Sequence, residues 1–102
     1  MQFYVGETGV PITWIVTDQN GAVKNLSGAT ATAVFVFANQ ERLEVSCSLV
    51  TGGTTGRFQY TAGSVDVFSA ARVGPFEVQA TYVLGAVRMP LEPQRGFVLA
   101  KL

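Results

Sequence analysis

Carboxylates are the side chains of this sequence best suited to chemistry, because the chain contains no histidine. Histidine is the commonest general base and metal ligand, and the usual partner of a nucleophilic serine or cysteine. A pair of carboxylates can still hydrolyse glycosidic bonds if the two groups converge at about 5–9.5 Å. The candidates for such a pair are Asp18, Asp66, Glu77 and Glu92. A carboxylate hydrolase is therefore one hypothesis, and it requires these side chains to meet.

The sequence around these carboxylates favours solvated positions over a catalytic pair. Asp18, Asp66 and Glu92 fall in stretches typical of turns, and Glu77 falls on the polar side of an alternating strand. We therefore predict no catalytic residue and a protein that is not an enzyme.

Three short stretches resemble ligand sites but are incomplete. "DQNG" from Asp18 offers oxygens beside a glycine, as a calcium loop does, but the later acidic ligands are missing. "TGGTTG" from Thr51 lacks the Lys-Ser/Thr ending and the following helix of a phosphate loop. Cys47 shares its predicted face with Val45 and Leu49, which indicates a buried, unreactive thiol. We predict two turns and an inert cysteine, with no metal and no cofactor.

The single tryptophan separates two classes of function. Trp14 falls in step with Ile12 and Val16 on one side of a predicted strand, so core packing is the expected role. An exposed ring would instead stack on a sugar or dock a partner. The alternative to a structural protein is therefore a carbohydrate- or receptor-binding β-sandwich module, to which three tyrosines would contribute further rings: Tyr4, Tyr60 and Tyr82.

The amino-acid composition argues against some classes of partner. Seven basic residues balance seven acidic ones, and the basic residues are scattered, so no concentrated positive field for nucleic acid is present. No apolar run approaches the roughly 18 residues of a membrane span, and the start "MQFYVGETG" does not have the pattern of a signal peptide. With 48% apolar and 14% charged residues, the chain is poorly suited to life as a free monomer. We expect a single domain, residues 1–102, that is made in the cytoplasm and works inside an assembly, without nucleic acid or membrane partners.

Period-two alternation predicts an all-β protein. It is clearest in "LEVSCSL" from Leu43, in "RFQYT" from Arg57 and in "FEVQATYVL" from Phe76. "ITWIV", "AVFVF" and "FVLA" are apolar on both faces, which is typical of strands covered on two sides. With "QFYV" and "AVRMPL", these stretches make seven or eight short strands, which suggests a sandwich or a small barrel.

The stretch "SVDVFSAARV" from Ser64 lacks clean alternation and is predicted to cross between sheets. Ser64 is a residue type that caps helices, so a single helical turn is expected here, with Val65 and Phe68 facing inward.

A series of short motifs runs along almost the whole chain in a fixed order. The motifs are "VGE" from Val5, Asp18 with Gly21, "LSGA" from Leu26, Gly56 with Tyr60, Gly74 with Phe76, and Pro90. This series resembles the N-terminal immunoglobulin-like domain of the baseplate upper proteins of tailed bacteriophages, and the related small β-sandwich modules of phage virion proteins. Glu7 and Phe76 stand where that pattern usually has Asp and Tyr.

The resemblance implies an immunoglobulin-like antiparallel β-sandwich of seven or eight short strands. It also implies a non-enzymatic structural subunit of a tailed-phage virion, in the baseplate or tail, the neck, a head decoration or a fibre connector. The implied partners are copies of the chain and other phage structural proteins.

Both ends of the chain are predicted to contact those partners, because exposed sheet edges pair readily with neighbouring chains. The predicted contact residues are Phe3, Tyr4, Val5, Phe97, Leu99 and Leu102.

Overall fold

A computed structural model describes residues 1–100, which contain eight β-strands and no α-helix. The all-β prediction is confirmed, and every predicted strand is present within a few residues of its expected position. The strands are β1 Gln2–Tyr4, β2 Pro11–Ile15, β3 Thr30–Val36, β4 Arg42–Leu49, β5 Arg57–Thr61, β6 Gly74–Leu84, β7 Val87–Pro90 and β8 Gln94–Leu99. Two short 3₁₀ segments are also present: Val50–Gly53 precedes β5, and Ala70–Arg72 precedes β6. No helix within residues 1–100 has the length and apolar character needed to cross a membrane.

The strands form one curled sheet, a half-barrel, in the order β1-β8-β6-β3-β4-β5-β2. β4 makes the curl because it changes partner along its length. Its residues Arg42–Cys47 pair with β3, whereas Ser48 and Leu49 pair with β5. β6 also has two partners on one edge, since its first half pairs with β8 and its second half with β7.

The sheet is mixed, so the prediction of a wholly antiparallel arrangement is wrong at one place. β1 runs parallel to β8, with Phe3 paired to Val98 and Tyr4 to Leu99. The other strand pairs are antiparallel. Parallel pairing is possible here because almost the whole chain separates β1 from β8, far more than the dozen or so residues that a parallel connection needs.

The core lies on the concave side of the curled sheet and is rich in aromatic rings. Alternation along β6 places Phe76, Val78, Ala80 and Tyr82 inside, each at most 3% exposed. Phe35 of β3 lies at the centre, with its ring centroid 5.7 Å from that of Phe76. Burial of such side chains, each contributing about 1.5–3 kcal/mol, is the main source of stability.

The connection from β5 to β6 closes one side of this core. Of the two side chains expected to face inward, Phe68 does so: it is 1% exposed and its ring stacks on Phe3 at 4.2 Å. Val65 is 62% exposed, so the prediction for it is wrong. The segment forms turns, and Ser64 Oγ accepts a hydrogen bond from the Asp66 backbone N–H at 3.2 Å, which turns Val65 outward.

Candidate interaction surface

The four carboxylates proposed for a hydrolase each lie in a different part of the fold. Asp18 is in the turn after β2, Asp66 is in the connection after β5, and Glu92 is in the link from β7 to β8. Glu77 lies on the outer face of β6, where its carboxylate is 3.9 Å from the Arg95 guanidinium. Within residues 1–100, no group of three cysteine or carboxylate side chains is arranged to hold a metal ion.

The Asp18 carboxylate organises the turn in which it lies. Its Oδ1 accepts hydrogen bonds from the backbone N–H groups of Asn20 at 2.8 Å and Ala22 at 3.1 Å. Gly21 takes a φ of 84°, which glycine adopts readily. These hydrogen bonds, together with one from the Gly21 N–H to the Asp18 carbonyl at 3.0 Å, confirm the turn prediction.

The glycine-rich stretch after Thr51 is a packing device. Gly53 has a φ of 93°, and a Cβ at this position would lie 2.7 Å from the backbone carbonyl of Leu26. Its own carbonyl accepts a hydrogen bond from the Leu26 N–H at 2.8 Å. Gly56 approaches the backbone equally closely, since a Cβ there would lie 2.7 Å from the Val16 carbonyl oxygen. These glycines let two segments of backbone touch, which explains the composition without a phosphate ligand.

Cys47 is half-buried on the inner face of β4, beside Val45 and Leu49. Burial raises the pKa of its thiol from 9.0 to about 11. The reactive form of cysteine is the thiolate, so this environment suppresses nucleophilic chemistry.

Trp14 lies in the core, as predicted. Its side chain is 3% exposed and stacks on Phe58 with ring centroids 5.5 Å apart. The buried indole Nε1–H has no hydrogen-bond acceptor among the described residues. A ring covered in this way offers no face to a sugar.

An apolar area on the outer face of the sheet, at the β1 end, is the strongest candidate for a functional surface. Phe97 of β8 is 50% exposed and is flanked by Gln2 of β1 and Pro75 of β6. In the next row, Leu99 pairs with Tyr4, and both are half-buried. Val73, which is 42% exposed, directly precedes β6 and lies two residues before Pro75. The name terminal patch is used below for these five apolar residues: Tyr4, Val73, Pro75, Phe97 and Leu99.

The terminal patch includes three of the six predicted contact residues. Tyr4, Phe97 and Leu99 face outward, whereas Phe3 is 3% exposed and Val5 packs against the core. The reason is alternation, since consecutive residues of a strand point to opposite faces. Phe3 and Val5 are thus not part of the outer surface. Leu102 lies outside the described residues.

Sequence reasoning missed Val73 and Pro75. Period two along β6 does place Pro75 on the same face as Glu77, so its outward direction was readable. The pairing of Pro75 with Phe97 could not be predicted from the sequence, because it depends on which strand lies beside β6.

A mixed rim borders the terminal patch. Arg95 and Glu77 lie in the row next to Phe97, with side chains 87% and 51% exposed. Val36 of β3, which pairs with Glu77, adds a further apolar side chain at 39% exposure. An apolar centre with a charged rim is the usual anatomy of a protein-binding surface.

Comparison with known proteins adds no relative to this description. A scan against models of protein families found none that matches the chain, and a search among curated proteins found no match either.

Proposed function

We propose that this chain is a non-enzymatic structural subunit of a tailed-bacteriophage virion, acting through contacts with copies of itself and with other virion proteins. The terminal patch is the single observation that carries the proposal. Apolar side chains from three neighbouring parts of the fold converge there on one exposed face, with Phe97 at the centre. Exposed apolar clusters of this kind are energetically costly in water and are relieved when another protein covers them.

The strand pairing supports the immunoglobulin-like part of the proposal. In that fold the second strand pairs with the fifth, and the other sheet contains the third, the sixth and the last strand, in that order. Here β2 pairs with β5, and β3, β6 and β8 are neighbours in that order. We propose that the half-barrel is an immunoglobulin-like sandwich whose two layers are joined through β4.

The charge distribution suits the same role. A net charge of zero gives copies of the chain no overall repulsion when many of them pack together. Particle assembly in the cytoplasm of a host, with final residence in the virion, follows from this function.

The experiment that tests the proposal is a protein inventory of purified particles. Tailed particles would be isolated by density gradient from a culture whose viral or prophage DNA encodes the chain, and quantified by mass spectrometry. We expect the chain in the particles at a fixed ratio to the major tail protein, as symmetric assemblies require. Presence in the lysate together with absence from the particles would refute the virion role.

Nothing in the geometry favours the carbohydrate-binding alternative, because its main candidate ring, Trp14, is enclosed. The tryptophan emission of the purified chain gives a simple check. We expect blue-shifted emission that does not respond to added oligosaccharides.

A further inference from the structure

Two neighbouring rows of side chains on the outer face of β6 and β8 place contrasting groups side by side. In one row Glu77 of β6 is paired with Arg95 of β8, and in the next row Pro75 of β6 is paired with Phe97 of β8. Side chains of directly paired residues lie on the same face of a sheet. β6 therefore presents an acid and a small apolar ring, whereas β8 presents a base and a large aromatic ring.

A shallow hollow accompanies the β6 half of this surface. It measures about 280 Å³ and is lined by residues of β6 and of its two neighbours: Val36, Pro75, Phe76, Glu77 and Arg95. A cavity of about 150 Å³ is enough to hold a benzene molecule. Phe97, which is 50% exposed, does not line this hollow. The terminal patch thus has an exposed ring on one strand and, beside it, space for such a ring on the next strand.

The two charges of the rim are only weakly engaged with each other. The Arg95 side chain is 87% exposed, and its Nε lies 3.9 Å from the Glu77 carboxylate, which is too far for a hydrogen bond. An exposed ion pair of this geometry contributes little to the stability of the fold. Both groups are therefore free to engage opposite charges on a partner.

The sheet edge beside the terminal patch is protected, so a partner here meets the face of the sheet. β1 is the end strand, and both backbone groups of Tyr4 are occupied. The Tyr4 N–H donates to Glu7 Oε2 at 3.3 Å, and the Tyr4 carbonyl accepts from the Glu7 N–H at 3.0 Å. β1 has only three residues, which further limits pairing with an added strand.

We propose that two copies of this chain pack face to face through the terminal patch, about a two-fold axis that runs along the strands between β6 and β8. This axis places β8 of each copy over β6 of the other. Phe97 of each copy then enters the hollow beside Pro75 of the other, and Arg95 of each copy faces Glu77 of the other. Facing sheets lie about 10 Å apart, a gap that these long side chains span.

Reciprocity is the argument for a second copy as the occupant. A two-fold contact joins the same surface of both copies, so every feature must match another feature of that surface. The terminal patch meets this condition in shape, through Phe97 and the hollow, and in charge, through Arg95 and Glu77. An axis over β8 itself would set Arg95 against Arg95, so charge selects the axis between the two strands. This inference rests on the proposed function and deepens it, since it names the partner of the terminal patch.

A charge exchange followed by sedimentation tests the contact. Arg95→Glu alone and Glu77→Arg alone should each weaken dimerisation at least about tenfold, because two like-charged contacts then form per dimer. An equimolar mixture of the two variants should recover the native affinity within about threefold, because opposite charges face each other at both contacts. The intrachain pair cannot explain such recovery, since each variant carries like charges within its own chain. Native association by either variant alone, or no recovery in the mixture, would overturn the inference.

Arg57→Glu and Glu92→Arg form the matched control. They make the same two changes of charge at exposed residues outside the terminal patch. Each control variant should dimerise within about twofold of the native chain, and mixing the two should bring no gain. A gain from the control mixture equal to that of the test mixture would show that net charge explains the recovery, and it would reject the contact.

Isotope-filtered NMR on a mixture of labelled and unlabelled native chain locates the aromatic ring. We expect intermolecular contacts from the Phe97 ring protons of one copy to Pro75 and Val36 of the other. A chain without dimers, or dimers without these contacts, would reject the arrangement. Presence of the chain in virions is a separate result, and it would leave the proposed function intact if this contact failed.

Discussion

At the scale of single residues, the residues considered as candidates for ligand binding have structural roles in the fold. Asp18 holds its own turn, Gly53 and Gly56 allow backbone contacts, and Trp14 fills the core. The roles of Asp18 and Trp14 were readable from local sequence, because turn chemistry and alternation act over a few residues. The close approach of Gly53 to Leu26 was not readable, because it joins segments that are far apart in sequence.

The thiol of Cys47 provides a prediction about pH. With a pKa of about 11 instead of 9.0, its thiolate fraction at pH 8 is on the order of one in a thousand, against about one in ten for the unshifted group. We expect slow alkylation by iodoacetamide at pH 8, and a rate that climbs until the pH passes about 11. The chain unfolded in urea is the control and should react with a midpoint near 9. Equal rates for the folded and unfolded chains at pH 8 would contradict the burial.

The same shift predicts how stability depends on pH. Because the folded pKa is raised above the unfolded value, the thiol costs nothing below pH 9.0, where both states are protonated. Between 9.0 and about 11 only the unfolded chain ionises, so folding stability falls across that window. A Cys47→Ala variant should lose less stability there than the native chain, as measured by urea unfolding at each pH. A larger loss in the variant would show that the sign is wrong.

Gly53 and Gly52 offer a matched test of close backbone packing. Both have positive φ, 93° and 65°, but only Gly53 has backbone atoms in the space of a Cβ. Gly52→Ala should cost about 1–2 kcal/mol for the left-handed conformation alone. Gly53→Ala should cost about 1–3 kcal/mol more, because Leu26 must move. Urea unfolding of the two variants measures the difference, and equal losses would disprove the close contact.

At the scale of elements, alternation predicts strands well and irregular segments poorly. All eight strands were anticipated, three from period-two alternation and the others from short runs of apolar, β-branched and aromatic residues between turn signals. The partner of each strand could not be anticipated, because strand pairing depends on packing across the whole chain. The parallel β1–β8 pair and the change of partner along β4 illustrate this limit.

The connection after β5 gives a test at this scale, because two residues expected to face inward have opposite environments. Phe68→Ala should destabilise the chain by about 3–5 kcal/mol, since it removes the ring stacked on Phe3 and leaves a cavity. Val65→Ala should change stability by less than about 0.5 kcal/mol, because Val65 is exposed. Thermal or urea unfolding measures both.

A total stability of about 5–15 kcal/mol is usual for such a domain, so the loss expected for Phe68→Ala is a large part of the total. Phe68→Leu is the milder companion for the case in which Phe68→Ala does not fold, with an expected loss between those of the other two variants. Equal stability of Phe68→Leu and Val65→Ala would contradict the assigned burial.

At the scale of the whole molecule, the half-barrel exposes different groups at its two ends. The terminal patch exposes side chains, and the free edge of β2 exposes backbone groups. They lie on the strands at opposite ends of the sheet order, β1 with its neighbours and β2. We propose that the terminal patch is the surface through which a subunit of this kind joins a neighbour.

Composition predicts that the chain associates, but it does not predict which surface would be involved. Few charges and many apolar residues indicated association. The terminal patch depends on which strands become neighbours, and its centre at Phe97 became visible only with the β8 pairing to β1 and β6.

The central claim is that the chain acts through its exposed apolar surface, and sedimentation velocity across a range of concentrations tests it most directly. The native chain should form species larger than a monomer as concentration rises, and Phe97→Glu should shift the distribution to smaller species, whereas Val65→Glu should not. A native chain that sediments as a single monomer at every concentration, or a Phe97→Glu chain that associates as the native one does, would contradict the account.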